Sequence, residues 1–250
     1  MKVLKWILIV VISLAVIGFI GYSIVDEDLP EGETGKEAEQ LTEKVLAAVN
    51  DSAWKEIAVV QWSLGGQKKL IWDKDRHWAK VSWDKYDVFI KLNSKEGVAF
   101  AKNKKVERDE LLSKLTSDAY EIWANDSFWL NPITKLKDAG TERRYVVQKD
   151  ADLEGLLVTY KSGGVTPGDS YLWLIDKKTS MPLSVKMWVQ IIPLGGLKFS
   201  WENWHTTPGG AKIAQTHESF FTINISPLQT WIEKEEYPGI DEFKVLEGLQ

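Results

Sequence analysis

The sequence predicts an α+β protein, a strongly curved antiparallel sheet wrapped around helices and preceded by one amino-terminal transmembrane helix. Three observations predict it. An unbroken apolar run from Trp6 to Val25 lies between Lys2 and Lys5 on one side and Asp26, Glu27 and Asp28 on the other. About a dozen short segments alternate apolar and polar residues between turn signals. Two further stretches place apolar residues three and four apart, the spacing of a helix face. A flat open sheet of a dozen strands tends to curl or split, so the strands are expected to curve around the helices.

The apolar run matches the ~20 residues that a helix needs to cross the hydrocarbon core. Lysines before it and acids after it place the amino terminus in the cytoplasm and the rest outside. A cleaved signal peptide shares this order of charge and hydropathy, and Gly21-Tyr22-Ser23 has a cleavage-like spacing. Signal cores are usually ~7–15 residues and end in an A-x-A-like site, so an uncleaved anchor over residues 1–25 is favoured. The chain has no cysteine, hence no lipid-accepting thiol and no disulfide framework. A domain outside the cytoplasm without disulfides fits a bacterial envelope. The expected location is the inner membrane, single-pass, with the carboxy-terminal domain in the periplasm.

Residues 26–36 read as an acidic spacer. Thr34-Gly35-Lys36-Glu37 reads as a capping box opening a helix whose face carries Ala38, Leu41 and Val45 and which ends near Asn50-Asp51. Period-two segments follow at Ala58–Leu64, Lys68–Asp73, Trp78–Trp83, Tyr86–Leu92 and Gly97–Ala101, close enough for an antiparallel meander. A helix from Glu107 to about Asn125 interrupts them, carrying Leu111, Leu112, Leu115, Ala119, Ile122 and Trp123 on one side. Strands resume at Glu142–Gln148, Leu156–Tyr160, Tyr171–Asp176, Leu183–Ile192, Lys198–Trp204, Ala211–Gln215 and Ser219–Ile225. Residues 37–226 form one domain on this reading, and 227–250 a carboxy-terminal extension.

The net charge is −5, or −7 without the two leader lysines, and no basic stripe is present, which argues against nucleic acid. Thirteen tryptophans are the other anomaly, and so many wide rings mean a thick aromatic core or an apolar surface that receives something. His77, His205 and His217 form no metal-ligand spacing and read as surface residues, so neither metal nor cofactor is expected. Ser162-Gly163-Gly164 reads as a turn rather than a nucleophile elbow. Asp84, Asp87, Glu202 and Glu218 read as solvated carboxylates, and no catalytic residue is assigned. Lys102, Lys104, Lys105 and Arg108 form a basic patch, read as a solvated loop or as a contact for anionic headgroups.

The element order, the turn Ile175-Asp176-Lys177-Lys178-Thr179-Ser180-Met181-Pro182-Leu183 and the later segment Phe199-Ser200-Trp201-Glu202-Asn203-Trp204 resemble the LolA-type family of periplasmic lipoprotein carriers. The resemblance spans roughly Glu33 to Ile225. It implies an unclosed β-barrel with helices packed in its mouth, an apolar inner face and a lid over acyl chains. It also implies a non-enzymatic binder of a lipid or of an acylated protein. The family's carriers are soluble whereas this chain carries an anchor-like run, so local handling or sensing of a lipid is expected. An envelope protein partner is possible on the same grounds. The expected lining is Trp72, Trp83, Phe89, Trp173, Trp188, Phe199 and Trp201, with Trp123, Phe128 and Trp129 on the lid. The other readings are rings that simply fill a core, an interaction scaffold, and a carbohydrate-binding domain that stacks sugars on exposed tryptophans.

Overall fold

Fourteen strands and three α-helices are present in the computed structural model, which describes residues 26–162 and 166–249. The expected transmembrane segment lies outside the described residues. Among those described, no helix is long and apolar enough to cross a membrane.

Helix α1 (Lys36–Ala48) buries Ala38, Leu41, Thr42, Val45 and Leu46, the stripe that its sequence predicts. Its N-cap is Gly35, with φ at 119° and no side-chain cap, so the capping box expected at Thr34 does not form. Asn50 instead caps the short helix α2 (Asp51–Lys55), accepting from the Ala53 amide at 3.4 Å. Strands β1 (Val59–Leu64), β2 (Lys68–Asp73), β3 (Trp78–Trp83), β4 (Tyr86–Lys91), β5 (Gly97–Ala101) and β6 (Lys104–Lys105) form the expected meander. Helix α3 (Asp109–Leu130) follows, then β7 (Thr141–Val146), β8 (Leu153–Tyr160), β9 (Ser170–Asp176) and β10 (Pro182–Trp188). The last strands are β11 (Leu197–Ser200), β12 (Glu202–Thr206), β13 (Lys212–Glu218) and β14 (Thr222–Trp231).

The strand orders are β12-β13-β14-β1-β2-β3-β4-β5-β6 and β11-β10-β9-β8-β7, antiparallel throughout. The stretch expected as one strand over Lys198–Trp204 is broken at Trp201. Before the break it pairs with β10, and after it with β13, so a single chain segment passes from one sheet to the other. The Trp201 amide still donates to Leu183, and Ser200 Oγ accepts from the Glu218 amide at 3.0 Å. The result is a curved surface from β7 to β6 whose two ends do not pair with each other, an unclosed barrel.

Alternation assigns the faces. The concave face of the larger sheet presents Val60, Trp62, Leu70, Val81, Val88 and Ile90 to Leu115, Ala119, Trp123 and Leu130 of α3. That of the smaller sheet presents Leu156, Val158, Trp173, Val185 and Met187 toward Ala38, Leu41 and Val45 of α1.

Two terminal segments cover the convex side. Residues 227–231 complete β14, and the remainder of the extension turns back so that Tyr237, Phe243 and Leu246 pack on Val59, Ile71, Phe89 and Val98. The acidic stretch expected as a spacer is docked instead. Glu27 donates its amide to Gly195, accepts from the Trp188 indole at 2.7 Å and pairs with Lys186; Glu33 exchanges backbone hydrogen bonds with Tyr145 at the β7 edge. The apolar patch of Val146, Leu157, Leu172 and Leu174, with Trp188 packed against it, lies on this convex face between the two attachment points. Gly32 is required at the second: a Cβ there would meet Tyr145 O and Val146 Cγ2 at 2.8 Å.

Candidate functional site

The two ends of the barrel wall differ. Register places the β10–β11 hairpin, the β13–β14 hairpin, and the β1–β2, β3–β4 and β5–β6 turns on one rim, and the β2–β3, β4–β5, β9–β10 and β12–β13 turns on the other. The first rim is the candidate mouth, because the aromatic residues there run without interruption from core to solvent.

Helix α3 continues past the expected Asn125 and includes Phe128, Trp129 and Leu130 in its last turn. This extension carries the aromatic end of the helix from the larger half of the sheet into the smaller one. Phe128 meets Tyr171 at a ring-centroid distance of 4.7 Å, and Trp129 meets Phe199 at 4.9 Å and Trp201 at 6.0 Å. Trp173 stands edge-on to Trp201 at 5.0 Å, and Phe199 touches Phe221 at 5.4 Å, which touches Phe220 at 4.8 Å. Exposure climbs along this series. Trp173, Phe199 and Trp201 expose 1, 1 and 2%, Phe128 and Trp129 are half-buried, and Phe221 and Phe220 expose 47 and 78%.

A second aromatic group lies toward the opposite rim, where Trp72 meets Trp123 at 5.2 Å, Trp54 at 6.4 Å and His77 at 6.2 Å. The expected candidates therefore separate. Trp72 and Trp123 belong to this group, and Phe128, Trp129, Trp173, Phe199 and Trp201 to the mouth. Trp83 stands beside Tyr86 at 5.9 Å and borders a cleft of about 590 Å³ at the mouth rim. Gln61, Ser63, Lys69, Ser82 and Asp87 alternate with core-facing neighbours and also line that cleft, so it opens on the convex side and is not the expected interior cavity. Phe89 and Trp188 are corrections. Their strand parity turns both to the convex face, Phe89 under Phe243 at 5.9 Å and Trp188 against Glu27. A second correction concerns the interior. Trp173, Phe199 and Trp201 do not line an open cavity, because α3 occupies the concave face and the rings pack on one another and on its last turn.

Burial governs the electrostatics of this end. His217, expected on the surface, is fully buried, lies 3.6 Å from the Trp201 ring centroid and has Nε2 3.1 Å from Trp129 O. Desolvation pushes its pKa down to about 4, so the ring is neutral at pH 7. Asp126, also fully buried, has its carboxyl pushed up by desolvation, against the Asn125 hydrogen bond and Lys68 at 3.7 Å. Burial likewise raises the Tyr171 phenol, whose hydroxyl donates to Asp169 at 3.4 Å. At the other rim burial lowers Lys74 to about 8 while its ammonium sits 4.6 Å over the Trp54 ring. Trp62, Trp72 and Trp123 Nε1 and Asp126 Oδ2 are buried in or against the layer that α3 covers. Among the described residues no group of three or more His, Cys, Asp and Glu is placed to hold a metal ion.

The sequence reading missed Tyr160, Tyr171, His217, Ile191, Phe220 and Phe221. The adjacent pair Phe220-Phe221 was a usable signal, since consecutive rings cannot share one face of a strand.

The class that fold and site define is an unclosed antiparallel barrel filled by helices, with an aromatic mouth at one rim. No protein-family model matches the chain, and no curated protein matches it. Solved structures similar to it include a DUF1329 family protein from Desulfovibrio piger, at 13% identity and a TM-score of 0.41 over 78% of this chain and 94% of the other. A LolA superfamily protein from Nitrosomonas europaea is similar at 11% identity and a TM-score of 0.35, over 77% and 92%. A Vibrio parahaemolyticus domain described as an outer membrane lipoprotein-sorting protein is similar at 13% identity and a TM-score of 0.34, over 82% and 99%.

Proposed function

We propose that this domain binds a lipid or lipoprotein acyl chain at the aromatic mouth, is held to the membrane by its amino-terminal helix, and performs no chemistry. One observation carries the reading: the unbroken series of ring contacts from buried Trp173 to exposed Phe220, with the half-buried end of α3 in its middle. An acyl chain gains about 0.8 kcal/mol per buried CH₂ and needs no hydrogen-bond partner, which suits a path made of rings. To enter, it displaces Phe128 and Trp129 from Tyr171 and Phe199, so the last turns of α3 act as the lid. Carbohydrate stacking has less support, for every tryptophan among the described residues is buried or half-buried.

The test is photo-crosslinking of full-length protein in membranes with a diazirine-bearing phospholipid, with adducts mapped by peptide mass spectrometry. Adducts on peptides holding Phe128, Trp129, Tyr171 and Phe199 are the expected result. Adducts confined to the peptide from Met1 to Val25 would sink the reading.

A further inference from the structure

The mouth rim carries exposed apolar residues at the end of the ring path and beyond it. Ile191, at the tip of the β10–β11 hairpin, exposes 75% of its surface, and Phe220, at the tip of the β13–β14 hairpin, 78%. Pro193 and the half-buried Ile192 and Leu194 extend the first tip. The two tips are neighbours, since Phe221 touches Phe199 two residues beyond Leu197, where β11 begins. Soluble surfaces seldom cluster large apolar side chains in this way without a partner for them.

Two observations fix what covers this rim. First, the Gly195 amide donates to the Asp26 carboxylate at 2.7 Å and the Glu27 amide donates to Gly195 O at 3.1 Å, so the residue that follows the apolar run Trp6–Val25 is pinned to this hairpin. Second, the same rim carries exposed lysines among its acids. Lys85 in the β3–β4 turn and Lys102, Lys104 and Lys105 in the β5–β6 hairpin are exposed there, with Lys102 hydrogen-bonded through its amide to Lys85 O; the exposed acids of the rim are Asp84, Glu218 and, docked on the β10–β11 hairpin, Asp26 and Glu27. We infer that this rim lies on a bilayer surface, with Ile191 and Phe220 in the interfacial layer and the lysines reaching the headgroup phosphates. The inference deepens the proposed function, because a mouth held on the bilayer receives its acyl chain directly from lipid rather than through water. It also gives the docked segment a role, since Asp26 and Glu27 set the angle at which the domain stands on its anchor.

The absence of native cysteine makes the test clean. Single substitutions Ile191→Cys, Phe220→Cys and, on the opposite rim, Lys178→Cys are made in the full-length chain, labelled with an environment-sensitive fluorophore and reconstituted in vesicles containing phosphatidylglycerol. The strands between the rims rise about 3.3 Å per residue, enough to hold the control well above the headgroups. Labels at Ile191 and Phe220 are expected to emit to the blue, to be quenched severalfold by doxyl-labelled lipid and to resist aqueous iodide, while the label at Lys178 shows the reverse. Iodide quenching at all three positions overturns the inference. So does protection of the two tips from both quenchers, which would assign the rim to a protein. None of these outcomes depends on crosslinks in the mouth, so docking and acyl binding fail separately.

Discussion

Trp201 sits where the two sheets meet at the mouth: it contacts Trp129, Trp173 and His217, and its backbone marks the passage from one sheet to the other. Truncation to alanine removes a side chain that is 2% exposed, and large-to-small changes of this kind cost about 3–5 kcal/mol. Urea unfolding of Trp201→Ala is expected to show that loss, whereas Phe221→Ala, at 47% exposure, leaves stability within about 1 kcal/mol and lowers acyl crosslinking. His217 adds a pH signature. Its folded pKa near 4 lies below the ordinary value of 6.5, so the unfolded chain binds the proton first and stability falls as pH drops from about 6.5 toward 4. The full effect is about 3 kcal/mol. Asp126 acts in the opposite sense, since a raised carboxyl pKa favours the folded state as pH falls, so the His217 contribution is read as the difference between wild type and His217→Phe. A variant whose midpoint falls as steeply as the wild type between pH 6.5 and 4 would remove His217 as the cause.

Most individual elements were legible, because alternation and turn residues are local. Strands β2, β3 and β5 lie within the expected bounds, and α1 and β9 differ by a residue or two. What was not legible is non-local. Alternation says that Phe89 and Trp188 share a face with their second neighbours, but which face is inward depends on what packs there, and both segments that cover the convex side are polar enough to read as a spacer and a tail. The break at Trp201 was equally hidden, since β11 and β12 look like one strand until β10 and β13 claim different halves. The docked amino-terminal segment is open to a direct test. Gly195 contacts Glu27 so closely that a Cβ would lie 2.3 Å from Glu27 O, and φ there is not in the left-handed region, so Gly195→Ala strains the contact rather than the backbone. Hydrogen exchange of this variant is expected to show lost protection at Glu27 and Glu33 with β9 unchanged. Unaltered protection at both amides would mean that the segment is held without the Gly195 contact.

Helix α3 alone packs into both halves of the barrel, through Leu115, Ala119, Trp123 and Leu130 in one core and through Phe128 and Trp129 in the other. A ligand that enters at the rim separates only the second set. The first holds six of the most deeply buried positions of its sheet against the helix, and its release would expose far more apolar area than an acyl chain replaces. Loading should therefore loosen the end of α3 and the turn after it while the beginning of the helix stays in place, a local opening and not a release of the whole lid. Hydrogen exchange on full-length protein with and without bound lipid distinguishes the two. Faster exchange over residues 124–136, unchanged exchange over 111–119 and slower exchange around Phe221 are expected if the chain inserts beneath Trp129. Faster exchange along all of α3 would mean that the two cores part together at the Trp201 break. No change anywhere in α3 would mean that the acyl chain rests on the rim without entering, which would leave the rim's contact with the bilayer standing and remove the mouth as a binding site.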